Sequence, residues 1–313
     1  MPADVSSRIE NWNQYNSDLI DRGRIDLWVS DDVLQSWSSS EYSGQGRPRL
    51  YGDSCIETAL TLCCLFTLTL RGAQGFLLSL FRMCGIDLPV PNYTTLCRRR
   101  KSLDIDILVQ KARRIKGRIV LAVDATGLKV YGEGEWKTRV HGKDRRRTWR
   151  KVHLATDINS FQVLSVETTA SNKNDGKTFP TLMKDVKGKV GRVLGDAAYM
   201  SKKCFDVIAS RGGEAVIDIH ENTAIAQGPS PGLRQRNRIV REMRACEDKK
   251  DWKRKSGYHR RSLVETQMYR LKQLFGAKLS SRKLENQRVE VRIRVKALNR
   301  MTAIGMPRRC SVT

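Results

Sequence analysis

Two hydrophobic periods divide this chain. Up to about residue 110, apolar residues come in runs long enough for helices. Trp12, Tyr15, Trp28 and Trp37 stand among polar residues in the first fifty positions. They predict one or two short packing helices that end in a Gly/Pro/Arg linker, Gly44 to Arg49. Ser54 followed by Glu57 reads as a capping box ahead of the apolar run Ala59 to Leu70. A break at Arg71-Gly72, a second segment from Phe76 to Met83 and a stop at Cys84-Gly85 follow. After Pro89-Val90-Pro91, Asn92 is placed to cap a helix from Tyr93 to Arg100.

From Gly117 the period changes. Ile119 to Val123 is a continuous apolar run, a buried strand ending in Asp124. Lys151 to Thr156 alternates, with Val152 and Leu154 against Lys151 and His153, and Gln162 to Thr168 alternates again across a turn at Asp157-Ile158-Asn159-Ser160. Thr178 to Val186 reads as a helix, Val190 to Leu194 as a strand followed by Gly195-Asp196, Lys202 to Arg211 as a helix, and Ala215 to Ile219 as a strand. Glu221 to Gly257 reads as a basic, loop-like insertion. Beyond it, Tyr258 to Phe275 has no Pro or Gly and repeats Val264, Met268, Leu271 and Phe275 on one helical stripe. Tyr258, Arg261, Glu265 and Lys272 fall on an adjacent stripe. Glu285 to Met301 predicts a further helix or two. Three strands, helix, strand, helix, strand and a final helix is the order of the ribonuclease-H fold, an α/β class.

Charge changes the picture. Lys and Arg number 58 against 33 Asp and Glu, a formal net charge of +25. Such a field attracts polyanions, nucleic acid above all. The hydrophobic content of 40% excludes a merely basic tail. The eight cysteines form no CxxC and no Cys/His zinc spacing, which favours reduced, packed thiols. Ala59 to Leu70 is too short to span a bilayer and no signal peptide is evident, so a cytoplasmic protein with no membrane partner is expected.

Cleaving and rejoining phosphodiesters requires an activated water or 3′-hydroxyl and a stabilised leaving oxyanion. Two hard divalent cations about 4 Å apart supply both, and they need carboxylate oxygens held rigidly. Asp124 and Asp196 at strand ends, with Glu265 reaching in from a helix, form such a set. Asp144, Asp157, Asp175, Asp218 and His220 read as structural, Asp157 through its turn.

The spacing Tyr258, two residues, Arg261, three residues, Glu265, six residues, Lys272 resembles the signature of insertion-sequence transposases of the DDE class. Val123 to Trp136, His141 to Lys151, Gly195-Asp-Ala-Ala-Tyr199, Tyr258 to Gly276, the N-terminal stretch from Asn11 and Leu298-Asn-Arg-Met301 resemble the family named after insertion sequence five. The chain departs from that family where Asp218-Ile219-His220-Glu221 precede Asn222 in place of a Pro-Pro-Arg loop. The resemblance implies Asp124, Asp196 and Glu265 as catalytic residues and metal ligands, supported by Tyr258, Arg261 and Lys272. It implies two Mg²⁺ ions, with Mn²⁺ as a substitute, and double-stranded DNA of element ends and target as partner. It further implies recognition of terminal inverted repeats, at least a dimer in the synaptic complex and a prokaryotic, nucleoid-associated location. A DNA-binding repressor without catalysis and a nuclease without strand transfer are the competing readings.

Expected DNA contacts fall in two clusters. Thr94, Thr95, Arg98, Arg99, Arg100 and Lys101 lie on the third of three short helices, which suits a helix-turn-helix. Arg145, Arg146, Arg147, Trp149, Arg150 and Lys151 form a basic stretch with an indole able to stack on a base. The expected organisation is a helical segment at 1–50, a helix-turn-helix-like domain at 51–110, a ribonuclease-H-like domain at 111–280 with its basic insertion at about 221–257, and a helical segment at 281–313.

Overall fold

The structure is a computed structural model that describes residues 7–38, 48–109, 117–130 and 149–311. The chain forms two compact units, Met1–Ile105 with Lys296–Thr313, and Asp106–Val295.

In the first unit, strand β1 (Ser7–Ile9) pairs antiparallel with Arg309–Ser311. Helices α1 (Trp12–Asp21), α2 (Asp31–Gln35), α3 (Asp53–Leu65), α4 (Leu70–Cys84) and α5 (Tyr93–Arg99) follow. Asn11 ties the ends together: its Nδ2 donates to the Met306 carbonyl at 3.2 Å, and its Oδ1 accepts from the Arg308 N–H at 2.7 Å. Trp37 is fully buried against Phe81 and donates its indole N–H to the Pro89 carbonyl at 2.8 Å.

Two boundaries here differ from expectation. The capping box does not form. Helix α3 starts one residue before Ser54, with Gly52 at its cap, because Asp53 already supplies the first-turn acid and pairs with Arg99. The break between α3 and α4 lies at 66–69 rather than at Arg71-Gly72. Thr67 takes a left-handed φ of 54° there, and the Thr69 hydroxyl caps α4 by accepting from the Gly72 N–H, which brings Arg71 and Gly72 into the first turn.

The second unit is built on one mixed sheet. Strands β2 (Ile119–Val130), β3 (Trp149–Asp157) and β4 (Val163–Ala170) form an antiparallel meander; β5 (Val190–Gly195) and β6 (Glu214–Ile217) run parallel to β2 on its other side. The spatial order is β4-β3-β2-β5-β6, with the two-residue β7 (Lys278–Leu279) also pairing with β2. Helices α6 (Asp175–Asp185) and α7 (Lys202–Ser210) make the crossovers. Asp157 holds the β3–β4 turn by accepting from the Ser160 N–H and hydroxyl and from the Val120 N–H.

The basic insertion is not a loop. It contains α8 (Pro231–Arg244) and α9 (Lys249–Ser256), started by the Ser230 and Asp248 side chains and closed at Gly257 in the left-handed conformation. Arginines and lysines mask the pattern, yet Leu233, Ile239, Val240 and Trp252 are buried. The stretch from Tyr258 is likewise two elements rather than one helix. A 3₁₀ turn spans Tyr258–Arg261, and α10 begins at Ser262 and ends at Phe275. Last comes α11 (Leu284–Ile304), one 21-residue helix. Its Glu290 and Arg294 are buried: Glu290 accepts from the backbone at Ser280 and Ser281, and Arg294 donates to the Gly276 and Lys278 carbonyls. Among the described residues no single helix is long and apolar enough to cross a membrane.

Candidate active site

The site begins with an interruption along β2. Strand β5 accompanies β2 over Ile119–Ala122 and β7 over Lys129–Val130, both on the side away from β3. Between them that edge of β2 carries no strand among the described residues. Asp124 lies in this gap, opposite Leu154 of β3. The expectation that Asp124 ends its strand is therefore corrected: pairing with β3 prolongs β2 to residue 130, and it is β5 that stops.

Asp196 follows β5 directly. Its Oδ1 accepts from the Ala198 N–H at 3.0 Å, which starts the 3₁₀ turn Ala197–Tyr199. Gly195 is needed for close packing. A Cβ there would approach the Tyr199 ring to 3.1 Å and Val123 to 3.2 Å, tighter than most side chains tolerate.

Glu265 lies in the first turn of α10, which packs on β2 and β3. Arg261 immediately precedes that helix and joins it to the sheet. Its Nη1 donates to Asp124 Oδ2 at 2.6 Å, and its Nη2 donates to Glu265 Oε1. Tyr258 lies beside it, with the Arg261 guanidinium carbon 5.8 Å and the Lys253 Nζ 5.0 Å from the ring centre. Lys272 sits in the last turn of α10, half-buried.

Burial pushes the Asp124 carboxyl above its usual range; the Ala125 N–H and Arg261 oppose this, and the nearby Asp196 charge adds to it. Desolvation thus outweighs the ion pair. Burial raises the Tyr258 phenol to about 12, against the pull of Arg261 and with help from Asp218 and Asp196.

Hard carboxylate oxygens from a strand, a strand end and a helix are the donor set a divalent cation of the Mg²⁺ type takes. Among the described residues no group of three or more His, Cys, Asp or Glu converges closely enough to hold an ion. The Arg261 guanidinium stands between Asp124 and Glu265 and supplies positive charge to both. By chemical type the three are ligands for a hard cation, and in the structure the Arg261 guanidinium supplies positive charge to two of them.

Other expected site residues are placed differently. Arg99 is committed internally, donating to the Tyr51 carbonyl at 3.0 Å and pairing with Asp53, whereas Arg98 and Lys101 are exposed. Thr94 is exposed and donates its hydroxyl to Asn92; Thr95 and Arg100 are half-buried. Trp149 packs over Gly127, where a Cβ would meet its ring at 3.0 Å, with the Lys129 Nζ 5.7 Å from the ring centre. Arg150 donates to Gln287 at 2.6 Å. Arg145, Arg146 and Arg147 lie outside the described residues. Asp218, with Lys249 at 2.6 Å and Lys253 at 2.9 Å, fastens α9 to the end of β6.

Sequence pattern missed the burial of His153. His153, in an outward-facing register by alternation, is fully buried, because α6 covers that face of the sheet. Its Nε2 lies 3.0 Å from the Thr169 hydroxyl and its Nδ1 3.4 Å from Asp175, which also receives Lys151 at 2.8 Å. Burial lowers the His153 pKa to about 4 against the attraction of Asp175. Asp175 and Lys151, read as a structural acid and a DNA contact, are thus partners.

Residues 115–300 match the protein family described as Transposase DDE domain, and residues 20–133 match a second family of the same description. An uncharacterized protein of Aquifex aeolicus (strain VF5) is 28% identical over 195 residues, 56% of this chain. The chain spans 57% of the length of that relative. Two solved structures are similar at low identity. One is the piggyBac transposase synaptic complex with hairpin DNA, at 10% identity and a TM-score of 0.41, covering 90% of this chain and 73% of that one. The other is the Drosophila P element transposase strand transfer complex, at 15% identity and a TM-score of 0.30, covering 70% and 46%. The first family match takes in more than half of the sequence, including Asp124, Asp196, Glu265 and the whole sheet that carries them. The chain belongs to the family of transposases with a DDE domain.

Proposed function

We propose that this chain binds the terminal inverted repeats of a short insertion sequence, cleaves the DNA at the element ends and joins them to target DNA. The observation that carries the reading is the pair of bonds from Arg261 to Asp124 and Glu265 in the gap of the sheet beside Asp196. Two carboxylates far apart in sequence are drawn to one cation there, and a third adjoins them. The sheet order and the crossover helices support a ribonuclease-H-like core.

In this reading Asp124, Asp196 and Glu265 hold divalent cations, two Mg²⁺ ions replaceable by Mn²⁺. Bound there, the cations would activate the attacking oxygen and neutralise the leaving one. Arg261 orients both carboxylates and is positioned to turn its guanidinium toward a phosphate. The Tyr258 ring, packed beside Arg261, restrains that side chain. Lys272 follows Glu265 by seven residues, about 10 Å along the helix, and meets a neighbouring phosphate of the same strand rather than the ions. Exposed Arg98 and Lys101, with α5 entering the groove as in a helix-turn-helix, hold the element end. A second copy of the chain synapses the other end.

The spacing of Tyr258, Arg261, Glu265 and Lys272 supports the family named after insertion sequence five. The test is to incubate the protein with labelled duplexes carrying its element's ends, a target plasmid and Mg²⁺. End-specific nicks and joined products are expected. Binding without cleavage would favour a repressor, and cleavage without joining a nuclease.

A further inference from the structure

An acidic row crosses three neighbouring strands. Ala122 of β2 pairs with Leu194 of β5, and Leu194 pairs with Val216 of β6. Two positions beyond these stand Asp124, Asp196 and Asp218, and the Asp218 N–H donates to the Gly195 carbonyl at 3.1 Å. Asp124 is held by Arg261. Asp218 takes two cations from α9, Lys249 at 2.6 Å on Oδ1 and Lys253 at 2.9 Å on Oδ2. Lys249 also donates to the Ile219 carbonyl at 3.0 Å, which secures the start of the helix. Neutralising one carboxylate takes one ammonium, so Lys253 is surplus to that task.

Lys253 leads from that carboxylate toward the active site. Its Nζ is 5.0 Å from the centre of the Tyr258 ring, and the Arg261 guanidinium carbon is 5.8 Å from the same centre. Both lie within the range at which a ring attracts a cation. Trp252, 2% exposed, adds a ring contact to Tyr258 with centroids 6.0 Å apart. Tyr258 is itself buried and opens the 3₁₀ turn that ends at Arg261. Two like charges beside one ring repel each other; Asp218, paired with Lys253, offsets that repulsion. A connected path thus runs from Asp218 through Lys253 and Tyr258 to Arg261, which closes it on Asp124 and Glu265.

We infer that Lys253 is a positioning residue for Arg261: anchored by Asp218, its ammonium fixes the Tyr258 ring beside which the guanidinium packs. The inference rests on the role proposed above for Arg261 in cleavage. Asp218, where the chain departs from a Pro-Pro-Arg loop, then serves the reaction through Lys253 and without touching the reacting atoms. A cation held on a ring is worth roughly 2- to 30-fold in a rate or an equilibrium.

The experiment uses the full-length chain and an element-end duplex in Mg²⁺. Single-turnover cleavage at saturating duplex, duplex affinity at several salt concentrations and thermal unfolding are measured on the same preparations. Lys253→Met keeps the stem and removes the ammonium. It should cleave roughly tenfold more slowly than the parent, with duplex affinity and its salt dependence unchanged. Lys253→Arg, which restores a cation able to reach both Asp218 and the ring, should recover most of the rate. Combined with Arg261→Lys, Lys253→Met should cost less than about twofold more, because the guanidinium it positions is gone. Weaker duplex binding with a shallower salt dependence would make Lys253 a DNA contact and overturn the inference. A parental rate with a lower melting temperature would overturn it too, since the lysine would then serve only the fold. So would a tenfold loss in both backgrounds, which would show that Lys253 acts independently of Arg261. If Arg261→Lys alone cleaves as fast as the parent, the role proposed for Arg261 falls and this inference with it. If Arg261→Lys is slow and Lys253→Met is not, this inference alone falls.

Discussion

Arg261 Nη1 lies 2.6 Å from Asp124 Oδ2, so the residue that bonds Glu265, four positions on in the helix it precedes, also fastens that helix to the central strand. One guanidinium thereby holds two carboxylates that would otherwise repel each other. It also occupies the place between them. Arg261 is a brace between the two carboxylates and, in the function proposed, a competitor of a cation there.

Arg261→Ala separates those duties. Losing charge-assisted bonds to a part-buried carboxylate should lower metal-free stability by about 1–3 kcal/mol, read by denaturant unfolding. Mn²⁺ affinity without DNA should rise severalfold as the competing cation disappears, while cleavage is lost. Arg261→Lys should fall between, because an ammonium lacks the fork that reaches both acids. Weaker Mn²⁺ binding in Arg261→Ala would show that the guanidinium organises the carboxylates instead of competing for them.

His153 sets an acid limit on the fold. Its folded pKa, near 4, lies below the 6.5 of an exposed histidine, so protonation favours the unfolded chain. The contribution is fully present above about pH 6.5 and is lost as the pH falls toward 4. At about 1.4 kcal/mol per pH unit, that window is worth on the order of 3 kcal/mol. Unfolding free energies measured from pH 7 to 4 should therefore decline less steeply for His153→Asn than for the parent. Parallel curves would mean that other groups cause the decline.

Neighbouring arginines on α5 should fail in different ways. Arg99 bonds Tyr51 and Asp53, so Arg99→Ala should cost about 1–2 kcal/mol of stability. Arg98 is exposed, so Arg98→Ala should leave unfolding unchanged and weaken DNA binding, with a shallower dependence on salt. Urea unfolding and salt-titrated gel shifts on both variants decide the matter. Stability loss in Arg98→Ala, or none in Arg99→Ala, would reverse the assignment.

Much of the second unit was legible because its strands are apolar runs between turn residues, as at Asp157, whereas α6 begins at Asp175 under the Asn174 cap, three residues before the helix expected from Thr178. Asp124 and Asp196 could be picked out because each adjoins such a run, and Glu265 by its spacing from Tyr258, Arg261 and Lys272. The hidden parts have physical reasons. Helices α8 and α9 bury only a few apolar residues amid many cations, so their composition resembles a loop. The length of β2 depends on pairing with β3, whose partner residues, from His153 opposite Ala125 to Trp149 opposite Lys129, lie far along the chain. His153 alternates like a solvent-facing residue, and only α6, a distant segment, makes its face interior. The Arg261 bond to Asp124 crosses 137 residues and follows no period.

Lys272 and Glu265 share one helix, and the function proposed gives them different tasks. Lys272→Ala should bind Mn²⁺ as the parent does and cleave pre-nicked duplexes, yet lose end-joining as salt is raised. Single-turnover cleavage and joining at two ionic strengths would show this. A Mn²⁺ requirement shifted as far as that of Glu265→Gln would place Lys272 at the ions, contrary to its distance along the helix.

The central claim is that Asp124, Asp196 and Glu265 act together on DNA through bound cations. The most direct measurement is cleavage of end-labelled element termini in Mg²⁺ by Asp124→Asn, Asp196→Asn and Glu265→Gln, with duplex affinity measured on the same preparations. Each variant is expected to bind as tightly as the parent or tighter, since a charge that repels phosphate is gone, and to produce no cleavage. Full cleavage by any one of them would remove that residue from the site, and full cleavage by all three would contradict the account.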